Sequence, residues 1–155
     1  MMPLIGLWYL QDLFQALLSE RFLAPDLFLV FLIYRVTKNP REASPVIWPA
    51  LVGGLLWDLR WTSLPGFTGA VYAFLAALCV VAWNHIPYPG RNAGLFFLLA
   101  FSAQFFASLV RFIFWGGFRG SLTGALVFQL CSAVPVIIAA ALAVAAGMDE
   151  DNARH

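Results

Sequence analysis

Long apolar stretches alternate with short polar corners along the whole chain, and the corner between Pro49 and Gly69 is the most informative. The apolar run before this corner ends in two tryptophans and two charged residues, Trp57, Asp58, Arg60 and Trp61. The next apolar run begins at Pro65-Gly66. Tryptophan rings favour the headgroup level of a bilayer, and charges at that level avoid the hydrocarbon. The corner is therefore predicted to lie at one face of a protein that crosses a membrane several times.

The same alternation predicts six transmembrane helices. Each apolar run is bounded by charged residues, prolines or glycines. The runs are 3–19, 25–36, 45–57, 66–83, 93–115 and 122–147. A crossing needs about 20 apolar residues, so the second span is short, and either residues 22–24 extend it or it is tilted. We expect one transmembrane domain over 1–147 and a frayed polar tail over 148–155.

Composition supports the membrane class. The chain has 155 residues, of which 62% are hydrophobic and 11% charged, and its mean hydropathy is +0.83. Soluble domains carry about 25% charged residues. The predicted fold is therefore an all-α polytopic membrane bundle with no room for a separate soluble domain. The net charge of +1 gives no electrostatic footprint for nucleic acid.

The sequence offers little for catalysis or metal binding. The two cysteines, Cys79 and Cys131, lie in apolar runs and are expected to act as small hydrophobic residues. The two histidines, His85 and His155, lie in a predicted loop and at the terminus. No nucleophile motif, metal-binding spacing or phosphate-binding glycine loop accompanies them. We therefore expect no catalytic residue, no metal site and no cofactor.

Polar side chains recur at helical spacing within the apolar runs. The first span carries Gln11, Asp12, Gln15 and Ser19 on one side, and the fifth carries Gln104, Ser108 and Arg111. Facing lipid with such groups is costly, so both stripes should face other helices. The sixth span adds Gln129.

The basic residues predict an orientation. Arg35, Lys38 and Arg41 surround the connection between the second and third spans, and positive loops stay in the cytoplasm. Both termini are then cytoplasmic. With this topology, eight polar residues gather at one outer depth: Asp12, Gln15, Asp26, Asp58, Arg60, Gln104, Arg111 and Gln129.

These residues predict an outward-facing polar pocket or a packed polar cluster, in which Arg111 pairs with Asp12 or Asp58. Asp26, which follows Pro25, is expected in the first turn of the second helix, where the helix dipole favours an acid. An alternative is that Asp26, Asp58 and Arg60 are only interfacial anchors.

Small residues indicate where helices approach closely. Gly53-Gly54 in the third span would allow such an approach. Two small-residue ridges follow at spacings of four, Gly69, Ala73 and Ala77 in the fourth span and Ala139, Ala143 and Gly147 in the sixth. The ridges either pack within the bundle or offer a surface to a partner helix or to a second copy of the chain.

Several of these motifs resemble the bacterial rod shape-determining protein MreD family. The similarity begins at Gln11 and continues through Ala-Pro-Asp-Leu at 24–27 and the basic connection that follows. It is most specific at Gly53-Gly54-Leu-Leu-Trp-Asp58 followed by Leu64-Pro65-Gly66-Phe-Thr-Gly69. This chain has Pro-Gly-Phe where the family has a Pro-Leu-Gly-like turn. Beyond about residue 90 the resemblance is only in hydrophobicity.

The resemblance implies a non-enzymatic scaffold of the cell-elongation machinery in the inner membrane. Such proteins pair with MreC, a bitopic protein with a periplasmic coiled coil. They are linked to the MreB filament and to the peptidoglycan polymerase RodA with its transpeptidase partner. In fold, the family is similar to the substrate-binding subunits of energy-coupling-factor vitamin transporters.

The alternative function is that of such a vitamin-binding subunit. Those subunits dock on their transporter through an Ala-xxx-Ala ridge on the first helix. The small residues of the first span here are only Gly6 and Ala16, which favours the scaffold.

Overall fold

Six α-helices make up nearly all of the described structure. The computed structural model of the chain describes residues 2–18, 24–38, 44–62, 64–87, 90–116 and 122–152. In these ranges the helices are α1 (Met2–Leu18), α2 (Leu27–Lys38), α3 (Ser44–Trp61), α4 (Phe67–His85), α5 (Ala93–Arg111) and α6 (Leu122–Asn152). A π-helical turn, Phe112–Gly116, continues α5. The predicted all-α membrane bundle is confirmed.

Three stretches are long and apolar enough to cross a membrane, Phe67–His85, Ala93–Phe114 and Leu126–Gly147. The exterior of the bundle is apolar, as a lipid-facing surface requires. Large side chains such as Leu17, Leu59 and Leu142 expose about two thirds of their area (73%, 65% and 66%). The helices therefore bury their polar groups inside and turn hydrophobic groups outward.

Three predicted boundaries differ from the observed ones. α3 continues to Trp61, so Asp58 and Arg60 lie in its last turns rather than beyond its end. α6 continues to Asn152, so residues 148–152 of the tail are helical rather than frayed, and 153–155 lie outside the described residues. α2 begins at Leu27, one residue after Asp26. Hydropathy locates the end of an apolar run, whereas a helix continues until a residue interrupts its backbone bonding.

α2 lies at the centre of the bundle and packs against each of the other five helices. Its fully buried residues form one wide face, and Phe31, Tyr34 and Arg35 on the other side are half-buried. The fully buried residues are Phe28, Leu29, Val30, Leu32, Ile33 and Val36. A helix with so wide an apolar face belongs in a core. Its 12 residues span only about 18 Å, less than the roughly 30 Å of bilayer hydrocarbon. Ala24 is not helical, so the helix is not extended over 22–24 as one alternative required.

Glycines set the spacing between α3 and α4. A methyl group added to Gly54 would overlap the backbone of Gly69, and one added to Gly69 would lie 2.7 Å from the carbonyl oxygen of Leu51. The Gly53 carbonyl accepts a hydrogen bond of 3.0 Å from the Trp8 indole of α1. The two glycines therefore contact different helices, since Gly53 contacts α1 and Gly54 contacts α4.

The two small-residue ridges have different surroundings. On α4, Gly69 is buried against α3, and Ala73 and Ala77 are half-buried. On α6, Ala139 and Ala143 are exposed, and Gly147 is half-buried close to the Lys38 ammonium group. The first ridge therefore packs inside the bundle at Gly69, whereas the second lies largely at the surface.

We expect Gly54→Ala to lower the free energy of unfolding by about 1–3 kcal/mol, because the added methyl group forces two helices apart. Thermal unfolding of the purified protein in one detergent measures this. Gly6→Ala is the matched control, since a methyl group there meets nothing within 4 Å. Alanine's better helix propensity should leave that variant equal or slightly more stable. Equal melting temperatures for the two variants would contradict the close contact.

Candidate functional site

The candidate site is built around a short non-helical segment, 24–26, that leads into α2. Ala24 and Asp26 are 2% and 0% exposed. Irregular backbone buried in a membrane bundle must find hydrogen-bond partners, because an unsatisfied peptide group there costs several kcal/mol. This requirement explains why amide side chains of several helices point at the segment.

Glutamine side chains of α1 and α6 form hydrogen bonds with the backbone of this segment and of the first turn of α2. The Ala24 N–H donates to Gln15 Oε1 at 2.9 Å, and the Ala24 carbonyl accepts from Gln129 Nε2 at 3.1 Å. The Phe28 N–H, in the first turn of α2, donates to Gln11 Oε1 at 2.9 Å. Side chains of α1 and α6 thus replace the bonds that a continuing helix would have made.

The Asp26 carboxylate accepts hydrogen bonds from four side chains. The donors are Gln11 Nε2 (3.2 Å), the Tyr72 hydroxyl (2.7 Å), Gln104 Nε2 (3.4 Å) and Arg111 Nη2 (2.8 Å). Arg111 also donates to the Tyr72 hydroxyl. We call these five residues the Asp26 cluster. Together they join α1, α4 and α5 to the start of α2.

Arg111 and Asp26 form a buried ion pair, with side chains 7% and 0% exposed. Each ion would be very costly in this environment without the other. The guanidinium carbon also lies 5.8 Å from the centre of the Trp57 ring and 5.5 Å from that of Tyr72. These ring contacts add favourable electrostatics for the cation.

The expected partners of Arg111 were wrong. Asp12 instead accepts from Arg60 Nε at 2.9 Å and from the Trp61 indole at 2.8 Å. Asp58 accepts backbone bonds from α4. Spacing along a helix predicts depth and face, but it does not say which of three acids at one depth lies opposite a given arginine.

Asp58 caps the next helix in the chain. Its carboxylate accepts from the N–H groups of Thr68 (2.7 Å) and Gly69 (3.4 Å) in the first turn of α4. It also accepts from the Thr62 hydroxyl at 3.0 Å. An acid at this position satisfies orphan donors and suits the positive end of the helix dipole.

The turn between α3 and α4 needs Pro65 and Gly66. It is closed by the Phe67 N–H, which donates to the Leu64 carbonyl at 3.3 Å. Gly66 has φ 89° and ψ −10°, which only glycine adopts without strain, and proline suits the position before it. Pro65, Gly66 and Asp58 thus form one local unit that starts α4.

The interfacial-anchor alternative is wrong for Asp26 and Asp58, because both are fully buried. Arg60 fits it, since its side chain is 55% exposed. Of the two predicted arrangements, the geometry is that of a packed cluster, because the polar groups contact one another directly.

The described residues contain no group of three or more His, Cys, Asp and Glu side chains that could hold a metal ion.

Sequence reasoning missed Tyr72, whose hydroxyl donates to Asp26. It placed Trp61 at the membrane face but did not predict that the Trp61 indole donates to Asp12. The Tyr72 hydroxyl lies within the apolar run of α4, where a buried tyrosine usually needs a hydrogen-bond partner, and this could have been recognised from the sequence. Four buried side-chain atoms have no hydrogen-bond partner among the described residues: Thr68 Oγ1, Gln104 Oε1, Ser108 Oγ and Gln129 Oε1.

Comparison with known proteins gives one family. The family model described as rod shape-determining protein MreD matches residues 1–145. No curated protein and no solved structure matches the chain. The expected likeness to vitamin-transporter subunits therefore stays a prediction.

We expect Arg111→Met to lower the free energy of unfolding by about 3–5 kcal/mol, because it leaves the Asp26 charge buried without a cation. The readout is chemical denaturation in detergent. Arg60→Met is the matched control, and its exposed ion pair should contribute at most about 1 kcal/mol. Asp26→Asn combined with Arg111→Met should recover part of the loss. Similar losses for the Arg60 and Arg111 variants would show that the buried pair has no special role.

We expect Asp58→Ala to destabilise the protein by about 1–2 kcal/mol through loss of the cap on α4. Asp58→Asn should lose less, since its amide oxygen can still accept one backbone bond. Thermal unfolding of the two variants side by side measures the difference. The assigned capping role is wrong if Asp58→Ala melts with the wild-type protein.

Proposed function

The chain belongs to the MreD family of rod shape-determining membrane proteins, and we propose that it is a non-enzymatic scaffold of the cell-elongation machinery. The family match over residues 1–145 carries this proposal. In this role the protein binds MreC and helps to couple MreB filaments to RodA and its transpeptidase partner. Peptidoglycan synthesis is then directed along the cell by the assembly, while the chain itself performs no reaction.

The way the polar residues are used supports a structural role. Asp26, Asp58 and Arg111 are each bonded to other parts of the bundle, so their charges hold helices together. An adaptor needs a body that keeps its shape while partners pull on it. The vitamin-binding alternative has less support, because direct side-chain contacts occupy the cluster where a solute would bind.

We assign the protein to the bacterial inner membrane with both termini in the cytoplasm. The positive residues at the end of α2 support this orientation. Arg35 and Lys38 lie in the last turn of that helix, and Arg41 lies outside the described residues. Each basic residue near an anionic lipid surface contributes about 1 kcal/mol.

The surface that we assign to the transmembrane helix of MreC is the exposed ridge of Ala139 and Ala143 on α6. Small residues let two helix backbones approach closely, which is how helices associate where lipid removes the hydrophobic drive. The MreC segment next to the membrane would then lie over the end of the bundle that holds the Asp26 cluster. A second copy of the chain could use the same ridge in a homodimer.

We expect the wild-type protein to co-purify with MreC from the same genome in mild detergent. Ala139→Leu with Ala143→Leu should reduce the recovered MreC at least tenfold, because the larger side chains hold the helices apart. Ala70→Leu is the matched control, since Ala70 is also an exposed alanine, on α4, and it should retain the complex.

Two outcomes would contradict this assignment. If wild-type protein purifies without MreC, the scaffold proposal fails. If the double variant binds MreC as well as the Ala70 control, the scaffold stands but the ridge is not its interface. Light scattering on the same samples shows whether the ridge instead supports a homodimer.

A further inference from the structure

We propose that the lipid-facing side of α3 fits a bilayer about a quarter thinner than usual, and that it therefore gathers phospholipids with shorter acyl chains. One side of α3 is exposed along the length of the helix. Its exposed apolar side chains recur at spacings of three and four: Trp48, Leu51, Val52, Leu56 and Leu59. We call these residues the α3 face. The inference rests on the membrane location and does not depend on the proposed scaffold role.

The α3 face is short because polar residues bound it at both ends. The apolar run of α3 extends from Pro45 to Leu59, with Arg41-Glu42 and Ser44 before it and Arg60 after it. These positions rise by about 22 Å along a helix, whereas bilayer hydrocarbon is about 30 Å thick. Tilting cannot supply the missing length, because a tilted helix spans less depth than an upright one.

Two exposed tryptophans mark a layer of similar thickness. Trp48 and Trp61 are 64% and 39% exposed, and tryptophans favour the headgroup level on both sides of a bilayer. Both lie in α3, and the helical rise between them is about 20 Å. The two rings can both lie at headgroup level only where the hydrocarbon between them is thinner than usual.

Arg60 does not compensate by reaching outward. A long basic side chain near a helix end usually extends to the headgroups, which lets a short helix tolerate a thick bilayer. Here Arg60 Nε donates to the Asp12 carboxylate at 2.9 Å, and the Trp61 indole donates to the same carboxylate at 2.8 Å. Asp12 is buried on α1. The charged end of the α3 face is therefore held at the depth of this contact.

The other side of the bundle has the ordinary thickness. Ala93–Phe114 and Leu126–Gly147 are apolar stretches of 22 residues each, which span about 33 Å. The helices α5 and α6 that contain them pack against each other, whereas α3 packs against α2 and α4. A flat bilayer that matches α5 and α6 exceeds the α3 face by about 8 Å. Thinning beside α3 removes this mismatch, and shorter acyl chains make the thinning less costly.

The experiment measures how deep nitroxide labels lie in a bilayer, from their collisions with oxygen and with a water-soluble nickel complex. Single cysteines are introduced into the full chain after the exposed Cys131 has been replaced by alanine, and Cys79 is kept because it is buried. The α3 series is Val52→Cys, Leu56→Cys and Leu59→Cys. The matched control series on α6 is Val127→Cys, Ile138→Cys and Leu142→Cys, whose native side chains are exposed to a similar extent.

In bilayers with 18-carbon monounsaturated chains, we expect the greatest depth along α3 to be about 4 Å less than the greatest depth along α6. This is half of the difference in hydrocarbon thickness, because each leaflet contributes half of it. In bilayers with 14-carbon chains the two depths should become equal, because that thinner bilayer matches the α3 face.

Trp48 reports which lipid gathers at the α3 face. Bromine atoms on acyl chains quench a tryptophan that they touch, and the quenching due to Trp48 is the difference between the wild type and Trp48→Phe. In bilayers that contain a dibrominated 18-carbon lipid, added 14-carbon lipid should relieve this quenching at least twofold more than added 18-carbon lipid does, because it matches the short face better.

Three results would overturn the proposal. Equal greatest depths on α3 and α6 in 18-carbon chains would show that the bilayer is not thinned. Labels on α3 that are shielded from both oxygen and nickel would show that protein, such as a second copy of the chain, covers the α3 face. Equal relief of quenching by the two lipids would remove the preference for shorter chains.

Discussion

The structure depends on one requirement. The backbone N–H and C=O groups of the non-helical segment that leads into α2 must find hydrogen-bond partners inside the bundle. A helix of 12 residues that follows a buried non-helical segment brings peptide groups without helical partners and the Asp26 charge into an apolar interior. Water cannot satisfy them there, so other helices must. Gln11 and Gln15 do so from α1, Tyr72 from α4, Gln104 and Arg111 from α5, and Gln129 from α6.

This requirement also explains how α1 is attached. The outer side of α1 is apolar and exposed, and its inner side carries Gln11, Asp12 and Gln15, all at most 7% exposed. In lipid, apolar contact alone does little to hold one helix against another. Hydrogen bonds from these polar side chains therefore account for much of the attachment of α1, whereas α3 and α4 are held by a close glycine contact and by the cap from Asp58.

The same arrangement suits a shape-determining protein. Because the polar groups are used inside the bundle, the exterior is apolar and can contact lipid, and small residues are exposed on α6. The chemistry of the buried residues is that of hydrogen bonding and charge pairing. In the scaffold role that we propose, such bonding would keep the shape of the bundle.

The sequence by itself determined the membrane class and the number and order of the helices, because these follow from hydropathy and helical spacing along the chain. It also indicated the close approach near Gly54 and the turn at Pro65-Gly66, which are local. Only the tertiary structure decided that Arg111 pairs with Asp26, that Asp58 caps α4 and that α2 is the central helix. Those choices depend on how the helices are rotated and arranged about one another, and partners such as Asp26 and Arg111, 85 positions apart, meet only when the whole bundle has assembled.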